Sequence, residues 1–388
     1  MRTFLSILSV CSIMRKAFRY RLYPTPSQQT VMADTLEICR WVYNETLAIR
    51  RHSWGQDKKS LSLYETNKLL TQWKRTNDFN VFSQVLQEAQ QRVDLAFKSF
   101  FRRVKNGEKA GYPRFKGKNR YDSFTYTQFG FKLNIETKSL TLSKIGSVKV
   151  KLHRPIEGKI KRVAMRRYPT GKWFASFVVE CKPVAVQPKD AVVGIDVGLE
   201  SFATLSTGEK IDNPRFYREE ESNLAKAQCR LSKLKDKKGT VEWFKSLKVV
   251  RHIHERMSNK RADFIHKASR SVVNRFGVIA FEDLNVKGMQ QNNNKGLAKS
   301  IADASWGMFI NATMNKAEEA GSKVVLINPK LTSQVCSRCG LVTPKKLSER
   351  IHRCGCGLEM DRDLNASINI LRLGLQSLGL TAVEAQPL

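Results

Sequence analysis

Four of the chain's cysteines, Cys336, Cys339, Cys354 and Cys356, crowd into one stretch too short to build a hydrophobic core of its own. Such a stretch folds when four thiolates close around a tetrahedral ion, because metal binding then supplies the folding free energy. The first pair, Cys336-Ser-Arg-Cys339-Gly340, has the two-residue spacer of a knuckle-like turn, whereas Cys354-Gly355-Cys356-Gly357 has a spacer of one residue. The expectation is one structural Zn2+ in a zinc ribbon, with His352 as a substitute ligand and a redox pair as the alternative. Four sulfurs leave no open coordination position, which argues against a catalytic zinc. Cys11, Cys39, Cys181 and Cys229 are scattered, a pattern that suits a reducing compartment with one metal site.

Charge constrains the partner. Lys and Arg total 68 against 35 Asp and Glu, a formal net charge of +33 in 388 residues. Self-repulsion on that scale disfavours a compact state unless a polyanion offsets it. Nucleic acid is the expected polyanion, since neutralising phosphates releases counterions. The alternatives are a merely basic enzyme and an anionic membrane surface, but no basic amphipathic anchor stands out. No apolar run approaches the roughly 18 residues of a membrane helix. Phe4 to Ile13 is a short apolar stretch without a clear small-residue cleavage site, followed by Arg15-Lys16, so residues 1–13 are expected to be an extension outside the fold.

Patterning changes along the chain. Residues 14–23 (MRKAFRYRLY) alternate as a strand with one wet face, and Pro24 and Pro26 stop it. Helical spacing begins at Ser27, with further helices over 60–74 and 83–105. Between Arg102 and Arg120 the basic residues Arg102, Arg103, Lys105, Lys109, Arg114, Lys116, Lys118 and Arg120 are broken by glycines and interleaved with Tyr112 and Phe115. That composition fits a loop gripping phosphates and stacking on bases, against the bland alternative of a solvated loop. Residues 123–183 read as short antiparallel strands, so the helices form an insertion after the first strand of a β domain. From Asp190 the order is a buried strand (AVVGIDVG), a hairpin turning at Thr207-Gly208, and basic helices over 219–236 and 241–275. In the second helix Phe244, Leu247, Val250, His254, Met257, Phe264, Ala268 and Val272 recur at helical spacing. A strand (VIAFEDL), a polar loop through Asn294, a helix over 303–320, a strand (KVVLINP), the cysteines and a helix from Leu364 follow.

Asp196 ends one buried strand, Glu282 ends another, and Asp363 precedes the last helix. Carboxylates at buried strand ends are costly unless paired or bound to a cation. Three brought together repel, and a hard divalent cation, Mg2+ or Mn2+, resolves the repulsion. Two such ions could activate water against a phosphodiester. Each acidic group also has a plainer explanation: Asp363 as a helix N-cap, Asp283 and Asp361 as rivals beside Glu282 and Asp363. Gly194 and Gly198 flank Asp196 and suggest close backbone approach at a crowded site. An actin-like ATPase shares a GIDVG-type strand, but no second glycine-rich phosphate loop accompanies it.

GIDVG, FEDLNVKGM, LTSQVCSRCG and CGLEMDRDLNAS together resemble the transposon-encoded TnpB family, compact relatives of the type V CRISPR nucleases. The resemblance runs from about Met14 to about residue 373. It implies an α/β plus β architecture: an RNase H-like (RuvC) nuclease domain with a zinc ribbon insertion, a β-barrel wedge domain and a helical recognition insertion. The implied layout is extension (1–13), wedge (14–26), helical recognition (27–118), wedge again (119–189), RuvC-like nuclease (190–330), zinc ribbon (331–360), nuclease end (361–373) and tail (374–388). It implies Asp196, Glu282 and Asp363 as the catalytic, Mg2+-binding triad. The family's zinc cysteines fall on Cys336, Cys339 and Cys356, with Arg353 at the remaining position and Cys354 displaced by one. The implied activity is guide-RNA-directed cutting of double-stranded DNA beside a short transposon-adjacent motif, by a monomer in a prokaryotic cytoplasm, associated with the nucleoid and not with a membrane. A nuclease-silent guided repressor, an RNA-independent transposase acting on transposon ends, and a plain zinc-ribbon RNA-binding protein are the competing readings.

Overall fold

The computed structural model describes residues 14–181, 189–291, 294–346 and 349–380. The extension at 1–13, Asn292 and Asn293, and residues 381–388 of the expected tail lie outside the described residues. The chain divides into two compact units between Pro183 and Val184. Among the described residues, no helix is long and apolar enough to cross a membrane.

The first unit opens with β1 (Met14–Tyr23), whose alternation sends Tyr20 and Leu22 inward. The chain then turns into α1 (Pro26–Asp57) through a complete capping box: Thr25 and Gln28 satisfy each other's amides, with Pro26 at the first helical position, where it lacks nothing the helix needs. Ser62 and Glu65 repeat the device at α2 (Leu63–Thr76), and α3 (Ser83–Lys105) completes the helices. β2 (Ser123–Tyr126), β3 (Phe131–Asn134), β4 (Ser139–Leu142), β5 (Gly146–Lys151), β6 (Lys159–Arg167) and β7 (Trp173–Cys181) follow. All pairings are antiparallel in the order β2-β6-β7-β1-β5-β4-β3. The first strand therefore lies mid-sheet, and the helices are an insertion between it and the strands it pairs with. The Tyr126 hydroxyl at the end of β2 donates to the Ser143 carbonyl beyond β4 at 2.7 Å. This contact joins the β2 end of the sheet to the far side of a nearly closed, barrel-like sheet. Tyr20, Phe124, Tyr126 and Phe177 share one core with Leu36, Val42, Leu86 and Val93 of the helices.

The second unit begins with β8 (Val192–Val197), β9 (Ser201–Leu205) and β10 (Lys210–Asp212), turning at Gly208 with φ +90°. Then come α4 (Phe216–Ser232), α5 (Val241–Arg275), β11 (Val278–Glu282), α6 (Val286–Gln291), α7 (Lys295–Ala304), α8 (Trp306–Glu319) and β12 (Lys323–Ile327). β13 (Ile351–Arg353), β14 (Glu359–Asp361) and α9 (Arg362–Ser377) close the unit. The main sheet runs β10-β9-β8-β11-β12, antiparallel on the β10 side and parallel from β8 through β12. Parallel neighbours need long crossovers, which α4 to α5 and α6 to α8 provide.

Several expectations change here. The polar loop before residue 295 contains α6, and α7 starts at Lys295 with Asn294 as its cap, because Asn294 accepts from the Leu297 amide. The helix expected over 303–320 is broken at Ser305, which adopts a left-handed φ of 55° between α7 and α8. The tail expected from 374 is helical to Ser377, since Gly374 and Leu375 are buried. In α5, Val250, Met257, Ala268 and Val272 are buried; Phe244 is exposed in the first turn, and His254 is exposed beside the packed stripe of Val250, Ile253 and Met257.

Candidate active site and cysteine cluster

Parallel register sets Phe281 beside Ile195, which brings the next residues, Glu282 and Asp196, to the same ends of neighbouring strands. The third carboxylate arrives on α9. That helix lies against β8 and β11 with almost no side chain between: a Cβ on Gly194 would fall 2.1 Å from the Ser367 carbonyl oxygen and 2.5 Å from the Leu371 nitrogen. A Cβ on Gly374 would fall 2.6 Å from that of Ala280. Gly194 thus serves helix-on-sheet packing rather than the crowding around Asp196 that its spacing suggested; Gly198 is tight against the Ser201 carbonyl in the β8–β9 turn.

The two acidic residues at the start of α9 divide the work. Asp361 is the N-cap, accepting from the amides of Asp363 and Leu364 at 2.9 and 3.0 Å, and it pairs with Lys210 at 2.8 Å. Although burial opposes ionisation of Asp361, Lys210 and the helix amides hold its carboxyl below the usual range. Asp363, one residue into the helix, is left to face Asp196. Burial first, then the charges of Glu282 and Asp363, push the Asp196 carboxyl well above the usual range, with Arg362 opposing. Burial also raises Glu282, against a hydrogen bond from Thr332. Asp283 is exposed, and its backbone amide donates to the Ile327 carbonyl. The structure therefore brings Asp196, Glu282 and Asp363 together and leaves Asp283 out. A carboxylate whose ionisation is opposed by burial and by two neighbouring carboxylates fits a hard divalent cation, which supplies the missing positive charge. Arg362 supplies part of it, its guanidinium lying 3.1 Å from the Asp363 carboxylate. Arg362 and Thr332 were not singled out from the sequence. The one local signal for Arg362 was a cation between two acidic residues.

The four sulfurs of Cys336, Cys339, Cys354 and Cys356 lie within 4.8 Å of one another. Cys336 and Cys356 are 3.7 Å apart, and Cys339 and Cys354 3.5 Å. A regular tetrahedron with bonds of about 2.3 Å has edges of about 3.8 Å, so the cage has the right size for zinc. Burial raises the Cys336 thiol, yet the amides of Cys339 and Arg338 outweigh it and bring it down to about 7. The Cys356 amide and the neighbouring sulfurs lower Cys354 to about 6. The Leu341 amide favours the Cys339 thiolate, but burial and the three other sulfurs push it up to about 12. Backbone donors aimed at sulfur and mutual repulsion together describe a site built for thiolates around a cation. The one-residue spacer is absorbed at the tip of the β13–β14 hairpin, where the Cys354 amide donates to the Leu358 carbonyl at 3.0 Å and Gly357 takes φ +83°. His352 is not among the four ligating groups; its buried ring sets Nδ1 against the Lys345 ammonium.

In the first unit the basic run is not one loop. Arg102, Arg103 and Lys105 lie in the last turn of α3, where cations complement the helix dipole, whereas Lys109, Arg114, Lys116, Lys118 and Arg120 lie in the loop. Asn44 pins that loop by accepting from the Lys116 amide at 2.8 Å and donating to its carbonyl at 3.0 Å. Tyr112 and Phe115 both face the Arg51 guanidinium, at 5.6 and 5.3 Å from the ring centres. Arg51, far away in sequence, carried no local signal.

Comparison with known proteins adds three family matches: a "Probable transposase" over residues 176–293, a "Cas12f1-like, TNB domain" over 306–370 and a "Helix-turn-helix domain" over 14–59. Residues 14–57 are a strand and one long helix rather than two helices. A Streptomyces pristinaespiralis protein described as a putative RNA-guided DNA endonuclease is 34% identical over 372 residues, covering 93% of this chain and 90% of its own. An Escherichia coli K12 protein, putative RNA-guided DNA endonuclease InsQ, is 29% identical over 379 residues, 92% of each chain. Among solved structures, the protein of a Cas12f1–sgRNA–target DNA complex superposes with TM-score 0.59 at 13% identity, covering 92% of this chain and 98% of that one. The mini-RNA-guided endonuclease Cas phi3 superposes with TM-score 0.50 at 10% identity, covering 95% and 94%. These likenesses establish a shared fold.

Proposed function

From its membership of the TnpB family, to which this chain belongs, we propose that the protein is a transposon-encoded, RNA-guided DNA endonuclease whose cutting centre is Asp196, Glu282 and Asp363. The observation that carries the assignment of the centre is the convergence of three carboxylates, from two strand ends and one helix, whose charges oppose one another. The second unit is read as a RuvC-like, RNase H-type nuclease, in keeping with antiparallel β10-β9-β8 continuing into parallel β11 and β12. The barrel of the first unit is read as the wedge domain and α1 to α3 as the recognition insertion.

Asp196, Glu282 and Asp363 would hold Mg2+ or Mn2+, which activates water and stabilises the leaving oxygen of a phosphodiester. This chain's own groups set the conditions. Asp361 and Lys210 hold the first turn of α9, and Arg362 offsets part of the repulsion. The guide RNA would read the target by pairing, while protein side chains hold the backbones and the short motif beside the target. Arg102, Arg103, Lys105, Arg114, Lys116, Lys118 and Arg120 are the candidate contacts to nucleic acid. The cysteine cluster would hold one Zn2+ that folds residues 331–360.

The test is Asp196→Ala in the full chain with its copurifying RNA. Expected are loss of target cutting, retention of the RNA and an unchanged unfolding transition. Cutting by the folded variant would remove the triad from the chemistry. Wild-type protein that binds target without cutting, at any Mg2+ concentration, would instead identify a silent repressor, and cutting without RNA a transposase.

A further inference from the structure

We propose that Thr332 is a positioning residue for Glu282, and that through it the cysteine cluster is tied mechanically to the carboxylate centre. The inference rests on the reading of Glu282 as a metal-binding carboxylate.

Thr332 is buried in the segment between β12 and Cys336. Its hydroxyl lies 2.5 Å from Glu282 Oε1 and 3.1 Å from the Pro329 carbonyl. A hydroxyl has one proton to give, and the nearer, charged acceptor takes it. Glu282 stands at the end of a short strand, where nothing else in its own strand fixes the carboxylate's rotation. A neutral donor on one oxygen sets that rotation without neutralising the charge an ion needs.

Thr332 is in turn held by the helix that carries Asp363. The Asn369 amide donates to the carbonyls of Thr332 and Val335 at 2.9 and 2.7 Å. Asn365, one turn earlier, donates to the Val335 carbonyl at 2.8 Å and accepts from the Ser337 amide at 2.9 Å. Both asparagines are essentially inaccessible to water, so these bonds satisfy groups that would otherwise be buried without partners. The Ser337 amide adjoins Cys336, the most buried of the four sulfur ligands. One face of α9 therefore clamps, in a single run of chain, the donor to Glu282 and the first cysteine, while its first turn presents Asp363. The plainer reading is that Thr332 only caps its own turn through Pro329; under that reading the hydroxyl is dispensable to Glu282.

The experiment compares Thr332→Val, Thr332→Ala and Thr332→Ser in the full chain with copurified RNA. Mn2+ binding is followed by electron paramagnetic resonance with the Asp196→Ala particle as blank, and cutting is followed against Mg2+ concentration. Two hydroxyl-deleting variants are used so that at least one retains the wild-type unfolding midpoint and RNA content. In that variant, site-specific Mn2+ affinity is expected to fall by about 10- to 100-fold, with the Mg2+ requirement for cutting rising in parallel. Thr332→Ser is expected to restore both. Wild-type Mn2+ affinity in a folded hydroxyl-deleted variant overturns the proposal, as does a serine variant that fails like valine. Glu282→Gln separates the two levels: if it still cuts, the carboxylate centre itself is misassigned, whereas a dead Glu282→Gln beside a normal Thr332→Val removes only the role of Thr332.

Discussion

Asp196 is surrounded by what disfavours its charge: burial, Glu282 and Asp363. Its folded-state pKa therefore lies above its unfolded value, so ionised Asp196 costs stability at any pH above that folded pKa, and the cost vanishes as pH falls below the unfolded value. In buffer without Mg2+ or Mn2+, Asp196→Asn is expected to unfold at higher urea than wild type at neutral pH. The difference should close as pH drops toward the ordinary carboxylate range of about 4. Adding Mg2+ should stabilise wild type and leave the variant unmoved, since only the folded charged cluster binds the ion. A variant less stable than wild type at neutral pH would contradict the electrostatic account. Asp361 and Asp363 also part company at this scale. Asp361 is the N-cap, and Asp363, two residues on in the first turn, pairs with Arg362.

At the scale of elements, the contact of α9 with β8 sets the position of the third carboxylate. Gly194→Ala drives a methyl into the Ser367 carbonyl, and relief requires backbone movement because both sides are main chain. Destabilisation of about 1–3 kcal/mol, read from the shift in urea midpoint, is expected, with cutting lost more completely than stability because Asp363 moves with the helix. Gly208, by contrast, has open space around its missing Cβ, and alanine there should cost only the strain of its positive φ. The β13–β14 hairpin has little apolar substance apart from Leu358 and depends on its sulfurs. Cys354→Ser is expected to release the zinc, measured as metal per chain, and to open residues 331–360 to proteolysis while the barrel unit stays protected. Retention of one zinc by that variant would bring His352 back as a ligand.

For the whole molecule the dominant quantity is the charge of +33. Binding to non-target DNA should weaken steeply and linearly in the logarithm of salt concentration, since each phosphate contact releases counterions. Replacing Arg102 and Arg103 together with Ala should lower affinity for all sequences alike and reduce the magnitude of that slope by up to about 2. An unchanged slope would remove the end of α3 from the interface.

Much of this protein was legible one stretch at a time. Strand alternation in 14–23, the turn at Gly208 and the four-cysteine cluster are written in short runs, because alternation, turning and chelation involve neighbours in the chain. What the sequence could not decide were some local backbone breaks and the approach of distant groups. Asn294 and Ser305 cut the 285–320 region into three helices through local backbone conformations that hydrophobic spacing does not encode. Gly374 and Leu375 extend the last helix because the sheet beneath them offers burial. Arg51 meets Tyr112 and Phe115, and Thr332 meets Glu282, only once separate elements are packed. The sequence by itself determined which chemical groups are available and the local elements that carry them; only the tertiary structure decided which of those groups meet, because convergence depends on strand register and on how closely two backbones approach.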